Sequence, residues 1–169
     1  MKKIILGLIA IGLTVQTFGQ DIKTEELSEV VVYATNYKYL HSLASEEPGP
    51  VPVEMLERKV AAFDVKGSEY YQDDYGLYHI NFYIPEGRIL AAYDKDGKII
   101  LTAERFRDVS LTKSVRKAIQ ERFPNWKITK DIYLVRYHED KGVTKIYKIK
   151  LENEEKVLRV KVDENGNFL

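Results

Sequence analysis

Two short turns, Asp94-Lys95-Asp96-Gly97 and Asp163-Glu164-Asn165-Gly166, stand 69 residues apart, and each closes a stretch of strand-like alternation. The same offset pairs Ile89, Ala91 and Tyr93 with Leu158, Val160 and Val162, and Ile80 and Phe82 with Ile149 and Leu151. A helical stripe precedes each stretch. Val53, Leu56, Val60 and Phe63 recur at three- and four-residue steps after Pro52, as do Leu111, Val115, Ala118, Ile119 and Phe123 before Pro124-Asn125. A helix followed by about four strands, twice over, implies an internal repeat and an α+β fold in which each helix packs on an antiparallel sheet. In the first half the strands are expected at "EYYQ", "YHINFYI", "RILAAYD" and "KIILTAE", and in the second at "DIYLVRYH", "TKIYKIKLE", "KVLRVKVD" and "NFL".

The halves run over 51–107 and 108–169. Residues 21–50 precede them as an N-terminal strand, read at Glu26–Leu40, and a linker in which Pro48, Gly49, Pro50 and Pro52 exclude a helix interior or a central strand. Residues 1–20 have the form of a secretory signal peptide: Lys2 and Lys3, an apolar run from Ile4 to Val15, then small and polar residues. No cysteine follows for lipid attachment. The mature protein is expected in the periplasm or outside the cell, with no stable membrane anchor after cleavage.

The absence of cysteine excludes disulfides, thiolate catalysis and cysteine metal sites. Of 26 basic residues, Lys2 and Lys3 fall in the leader, leaving 24 against 26 acidic ones. That balance argues against nucleic acid as a partner.

The Asp-rich turns do not satisfy a calcium loop. With Gly97 as position 6 of an EF-hand, positions 1 and 12 are Ala92 and Ala103; the second turn puts Lys161 at position 1 and runs out of chain. Asp-Gly and Asn-Gly suit hairpin turns instead. His41, His79 and His138 are the only histidines, and His138-Glu139 lacks the second histidine of a zinc helix. There is no phosphate-binding glycine loop and no nucleophile elbow. The pairs Glu46-Glu47, Asp73-Asp74 and Glu154-Glu155 read as solvated loop charge. No cofactor, no metal and no enzymatic activity are expected.

Strand faces carry more. Alternation puts Lys148, Lys150, Arg159 and Lys161 together on the face opposite Tyr147, Ile149 and Leu151, as a basic, solvated surface that protects sheet edges. In the first half the corresponding face carries His79, Asn81, Tyr83, Leu90, Ala92, Ile100 and Thr102 and reads as weakly charged. Such a face is either covered within the molecule or offered to a partner. His79, Asn81, Tyr83, Leu90 and Ala92 are therefore the candidate contacts for a protein or peptide of the cell envelope. A second reading places a small molecule or envelope glycan between the halves, stacked on Tyr71, Tyr75 and Tyr78; an enzyme ranks third. Trp126 is expected to staple the second helix to the sheet.

The stretches "GRILAAYDKDGKIILTAERF", "VRKAIQERFPNWKITKDIYLVRY" and "YKIKLENEEKVLRVKVDENGNFL" resemble the PepSY-like, β-lactamase-inhibitor-like family of small secreted bacterial proteins over about Pro52 to Leu169. The resemblance rests on Phe123-Pro124-Asn125-Trp126 and the two Asp-x-Asp/Asn-Gly turns, none of them catalytic. It implies tandem helix-plus-sheet units and the binding or inhibition of secreted enzymes through an aromatic sheet face. Lacking cysteine, this chain departs from the inhibitor that lends the family part of its name, and inhibition of β-lactamase itself is not implied.

Overall fold

The computed structural model describes residues 35–169. The leader and the larger part of the strand expected over Glu26–Leu40 lie outside them. Three helices, α1 (Tyr37–Leu43), α2 (Val51–Ala61) and α3 (Lys113–Arg122), accompany six strands: β1 (Leu77–Ile84), β2 (Gly87–Asp94), β3 (Ile99–Arg107), β4 (Lys127–His138), β5 (Gly142–Asn153) and β6 (Lys156–Asp163). The strands form one antiparallel sheet in the order β1-β2-β3-β4-β5-β6. Each strand pairs with its neighbour in sequence, so every connection is local or spans a single helix.

The C-terminal part of the expected N-terminal strand is α1 instead. Tyr39 and Leu43, one helical turn apart, are both buried, and that four-residue spacing outweighs the strand preference of the tyrosines. Asn36, just ahead of α1, is buried with its amide fully engaged. It donates to Ala61 O at 3.0 Å and Gly97 O at 3.2 Å and accepts from Ile99 N at 2.8 Å. One side chain thus ties the end of α2 to the β2–β3 turn.

Helix α2 begins with Pro52 in its first turn and buries Val53, Leu56 and Val60. Phe63 follows just past its end, edge-on to Phe82 at 5.3 Å. In α3, Thr112 caps the N-terminus by accepting from Val115 N, and Val115 and Ile119 are buried. Glu47, expected to be solvated loop charge, adds a long-range cap: its carboxylate accepts from Lys113 N at 2.6 Å, Ser114 N at 3.2 Å and the Ser114 hydroxyl. Phe123 stands edge-on to both Trp126 and Phe168, fastening the far end of α3.

Each half contributes three strands, not four. Residues 69–72 form no strand; they are held by Tyr78, whose hydroxyl donates to Gln72 O at 2.6 Å. At the C-terminus "NFL" makes only a bridge between Val162 and Phe168. The offset of 69 nevertheless matches hairpin to hairpin. Ile84 faces Gly87 across a two-residue loop, as Asn153 faces Lys156, and Tyr78 pairs with Tyr93 as Tyr147 pairs with Val162. The two Asp turns have the same wiring. Asp94 Oδ1 accepts from Asp96 N and Lys98 N, and Asp163 Oδ1 accepts from Asn165 N and Asn167 N. Gly97 and Gly166 supply φ of +79° and +90°.

The three helices lie on one face of the sheet. Between them and the sheet sits the core: Tyr39, Val60, Tyr93, Ile89, Phe106, Val115, Ile119, Val135, Tyr147 and Ile149 are almost wholly inaccessible. Strand alternation sends the remaining side chains outward, to the side no described helix covers.

Candidate functional site

The outward face is best read along its cross-strand rungs. One runs Tyr83–Arg88–Arg105–Leu134–Ile146, the next Asn81–Leu90–Ala103–Arg136–Thr144, and a third His79–Ala92–Leu101–His138. Toward one end follow Arg107–Ile132–Lys148–Lys161 and Lys130–Lys150–Arg159. Leu90, Leu101, Ala103, Leu134 and Ile146 share the middle of this surface with Arg105 and Arg136, and cations crowd its Lys130–Lys161 end.

The five candidate contacts fare differently. His79, Asn81 and Tyr83 are exposed, Tyr83 by 66%, and Leu90 is half-buried. Ala92 shares their rungs but is 0% exposed, because a methyl group is overshadowed by its neighbours on adjacent strands; it contributes no contact surface. Thr102 is not on this face. A bulge at Ala92/Tyr93 shifts the register, so Thr102 opposes Ala91 and turns inward, and Leu101, Ala103 and Arg105 take the outward positions. Nor is the face weakly charged: Arg88 and Arg105 lie on it beside Tyr83 and line a shallow cleft of about 630 Å³ with Arg107 and Lys130, and with the acids Glu86, Asp108 and Asp131.

The register sets like charges against each other. Arg88 opposes Arg105, Lys148 opposes Lys161, and Lys150 opposes both Lys130 and Arg159. Like charges directly across a ladder are destabilising. Among the described residues only Lys150 of this set forms an ion pair, with Glu152 at 2.5 Å. A second shallow cleft of about 420 Å³ is lined by Lys130, Asp131, Ile132, Lys148, Lys150, Arg159 and Lys161.

The tyrosine trio of the second sequence reading is not a ligand platform between the halves. Tyr78 is buried, its hydroxyl bound to Gln72, and Tyr71 is stacked on it at 5.7 Å. Tyr75 is exposed and packs at 6.3 Å from Tyr78, at the β1 edge of the sheet. The trio holds a loop in place.

On the helix side the structure assembles polar residues that the sequence left scattered. Glu104 of β3 and Glu57 of α2 are buried side by side. Glu104 Oε1 accepts from the Tyr39 hydroxyl at 3.0 Å and the Thr102 hydroxyl at 2.7 Å, and the Glu57 carboxyl is its neighbour. Burial first, then the neighbouring Glu104 charge, pushes the Glu57 carboxyl up to about 9, and burial raises the Glu104 carboxyl as well. Glu104 Oε2 is buried and makes no hydrogen bond.

Lys145 of β5 approaches the same pair. Its ammonium donates to Leu43 O at 2.6 Å and to the Ser45 hydroxyl, and pairs with Glu164 at 3.0 Å. Above these groups lies a cleft of about 590 Å³, between the 44–50 linker, α2 and strands β4 and β5. Tyr133 and Tyr147, stacked at 4.4 Å, line it. The Tyr133 hydroxyl neighbours that of Tyr147, whose fully buried oxygen makes no hydrogen bond.

Among the described residues no three His, Asp or Glu side chains gather where they could hold a metal ion. The Asp94 and Asp163 carboxylates are occupied by backbone N–H groups. No described helix is long and apolar enough to cross a membrane.

No protein-family model and no curated protein matches this chain. Among solved structures it is similar to a DUF2874 family protein from Bacteroides ovatus ATCC 8483, with 16% identity, 86% of each chain covered and a TM-score of 0.34. That likeness is too slight to bear on either side of the sheet.

Proposed function

We propose that this chain is a secreted, non-enzymatic binding protein that takes an acidic protein or peptide segment on the outward face of its sheet. The observation that carries the reading is the set of like-charge rungs, Arg88 against Arg105 and Lys148 against Lys161, none of which forms an ion pair among the described residues. A surface that lowers stability by its own charge pattern is accounted for by a partner that supplies the missing anions. The half-buried Leu90, Leu134 and Ile146 give it an apolar centre, and exposed Tyr83 an aromatic anchor.

In this reading the two halves arose by duplication, which the equal hairpin registers and Asp turns support, and the protein is of the PepSY-like, β-lactamase-inhibitor-like type. Secretion follows from the charged, then apolar, leader. A fluorescent peptide of alternating Glu and Val residues is the test probe, read by anisotropy at low and high salt. Binding that weakens with salt and is lost in Arg88→Glu/Lys148→Glu supports the proposal. Equal binding of a Lys/Val peptide, or no binding of the acidic one, refutes it.

A further inference from the structure

The sheet has two outer strands, and their edges are built differently. β6 carries Lys156, Arg159 and Lys161; Phe168 bridges to its Val162, and Leu169 N donates to Lys161 O at 3.0 Å. Cations and a covering segment are the usual guards of a strand edge. β1 has neither. Its eight residues, Leu77-Tyr78-His79-Ile80-Asn81-Phe82-Tyr83-Ile84, include no lysine, arginine, aspartate, glutamate or proline, and no bulge interrupts its ladder to β2. Among the described residues its backbone bonds to β2 alone. Every second residue of an outer antiparallel strand turns its N–H and C=O away from the sheet. β1 therefore offers a row of unused donors and acceptors, flanked by exposed Leu77 and Tyr83 on one side and half-buried Ile80 and Phe82 on the other.

What fits this edge follows from the order of its side chains. Read outward from Ile80, the strand is symmetrical in chemical class: His79 and Asn81 are polar, Tyr78 and Phe82 aromatic, Leu77 and Tyr83 large and exposed. A two-fold contact sets residue i against j and j against i. Two β1 strands running antiparallel about Ile80 place Ile80 on Ile80 and Tyr78 on Phe82 on the helix side, and His79 beside Asn81 and Leu77 beside Tyr83 on the outward side. No charge meets its own kind. The same contact between two β6 strands would crowd Arg159 and Lys161 of both copies. Centring on Asn81 instead puts Leu77 opposite Pro85, which has no N–H to give. We propose that β1 pairs antiparallel with β1 of a second copy of this chain across a two-fold axis at Ile80. The axis is normal to the sheet, so the helices of both copies lie on one side and the two sheets become one. The contact uses only the sheet edge and does not depend on what the outward face binds. One strand edge is a small interface, so the dimer is reversible.

The test is sedimentation velocity of the mature protein, without peptide, from micromolar to millimolar concentration. A reversible monomer–dimer equilibrium is expected. His79→Lys/Asn81→Lys changes two exposed side chains and sets lysine against lysine across the contact, so it should remain monomeric throughout, with the circular dichroism of the wild type. The natural chain has no cysteine, so single cysteines report the register. Directly opposite residues of an antiparallel pair lie about 4.5–5.5 Å apart between Cα atoms, within the reach of a disulfide. Ile80→Cys should therefore cross-link to its own copy on mild oxidation, whereas Phe82→Cys, which lies opposite Tyr78, should not. A wild type that stays monomeric at millimolar concentration overturns the proposal, whether its β1 amides exchange freely or are protected by another part of the chain. A dimer that survives the two lysines, or equal cross-linking at the two cysteine positions, overturns it as well.

Discussion

Arg88 and Arg105 face each other across the β2–β3 ladder on the outward side of the sheet, and among the described residues neither has an ion-pair partner. Reversing one of them makes an opposite-charge rung. Arg105→Glu is expected to raise stability by about 0.2–1 kcal/mol in chemical denaturation while abolishing capture of acidic peptide. Loss of both stability and binding would show that these arginines serve the fold instead.

Glu57 makes stability fall as pH rises. The folded protein keeps its proton up to about 9, whereas the unfolded chain releases it near 4.5. Between those values the folded state binds more protons, so this group's contribution declines throughout the interval. Glu57→Gln keeps a donor toward Glu104 and has nothing to ionise. Its melting temperature should exceed that of the wild type at pH 8, and the difference should vanish near pH 4. A difference that does not change with pH would mean that Glu57 is not the protonated partner.

Asp131 acts in the same sense over a lower range. Burial, opposed by its bond from Val109 N, raises its carboxyl from 3.8 to about 6. Asp131→Asn should therefore flatten the loss of stability between those pH values, as read from urea midpoints at pH 4 and 6.5.

Asn36 holds three backbone groups from two other parts of the chain. Asn36→Ala leaves Ile99 N and Ala61 O without their side-chain partner, and should cost about 1–3 kcal/mol. Hydrogen exchange should accelerate first in α1 and at the β2–β3 turn. Uniform acceleration across the sheet would contradict a local clamp.

Gly87 permits β2 to lie against β3: a Cβ there would come within 2.3 Å of Arg105 O and 2.8 Å of Phe106 Cα. Gly76 has open space around it. Gly87→Ala should lower the melting temperature markedly and Gly76→Ala hardly at all. Similar effects at the two positions would count against this packing.

Much of the fold is legible in the sequence because its periods are clean. The Val53–Leu56–Val60 stripe and the alternation of Tyr147, Ile149 and Leu151 each have one physical solution. The bulge at Ala92/Tyr93 is not legible: nothing in "AAYDKDGKIILTAE" marks the extra residue, so simple alternation sends Thr102 to the outward face and gives no sign that Glu104 is buried. Arg88 was legible, being two residues from Leu90, and it reverses the view of that face as weakly charged. The cleft could not be read at all. Glu57, Glu104 and Lys145 come from three distant segments, and each looks like ordinary surface charge until the chain folds.

The most direct measurement of the central claim is the map of amide shifts when the Glu/Val peptide is titrated into isotope-labelled protein. The account predicts shifts on β2 to β6 centred on Arg105, Leu134 and Lys148, disappearing in Arg88→Glu/Lys148→Glu. Shifts confined to the helix side, or none at saturating peptide, would contradict it.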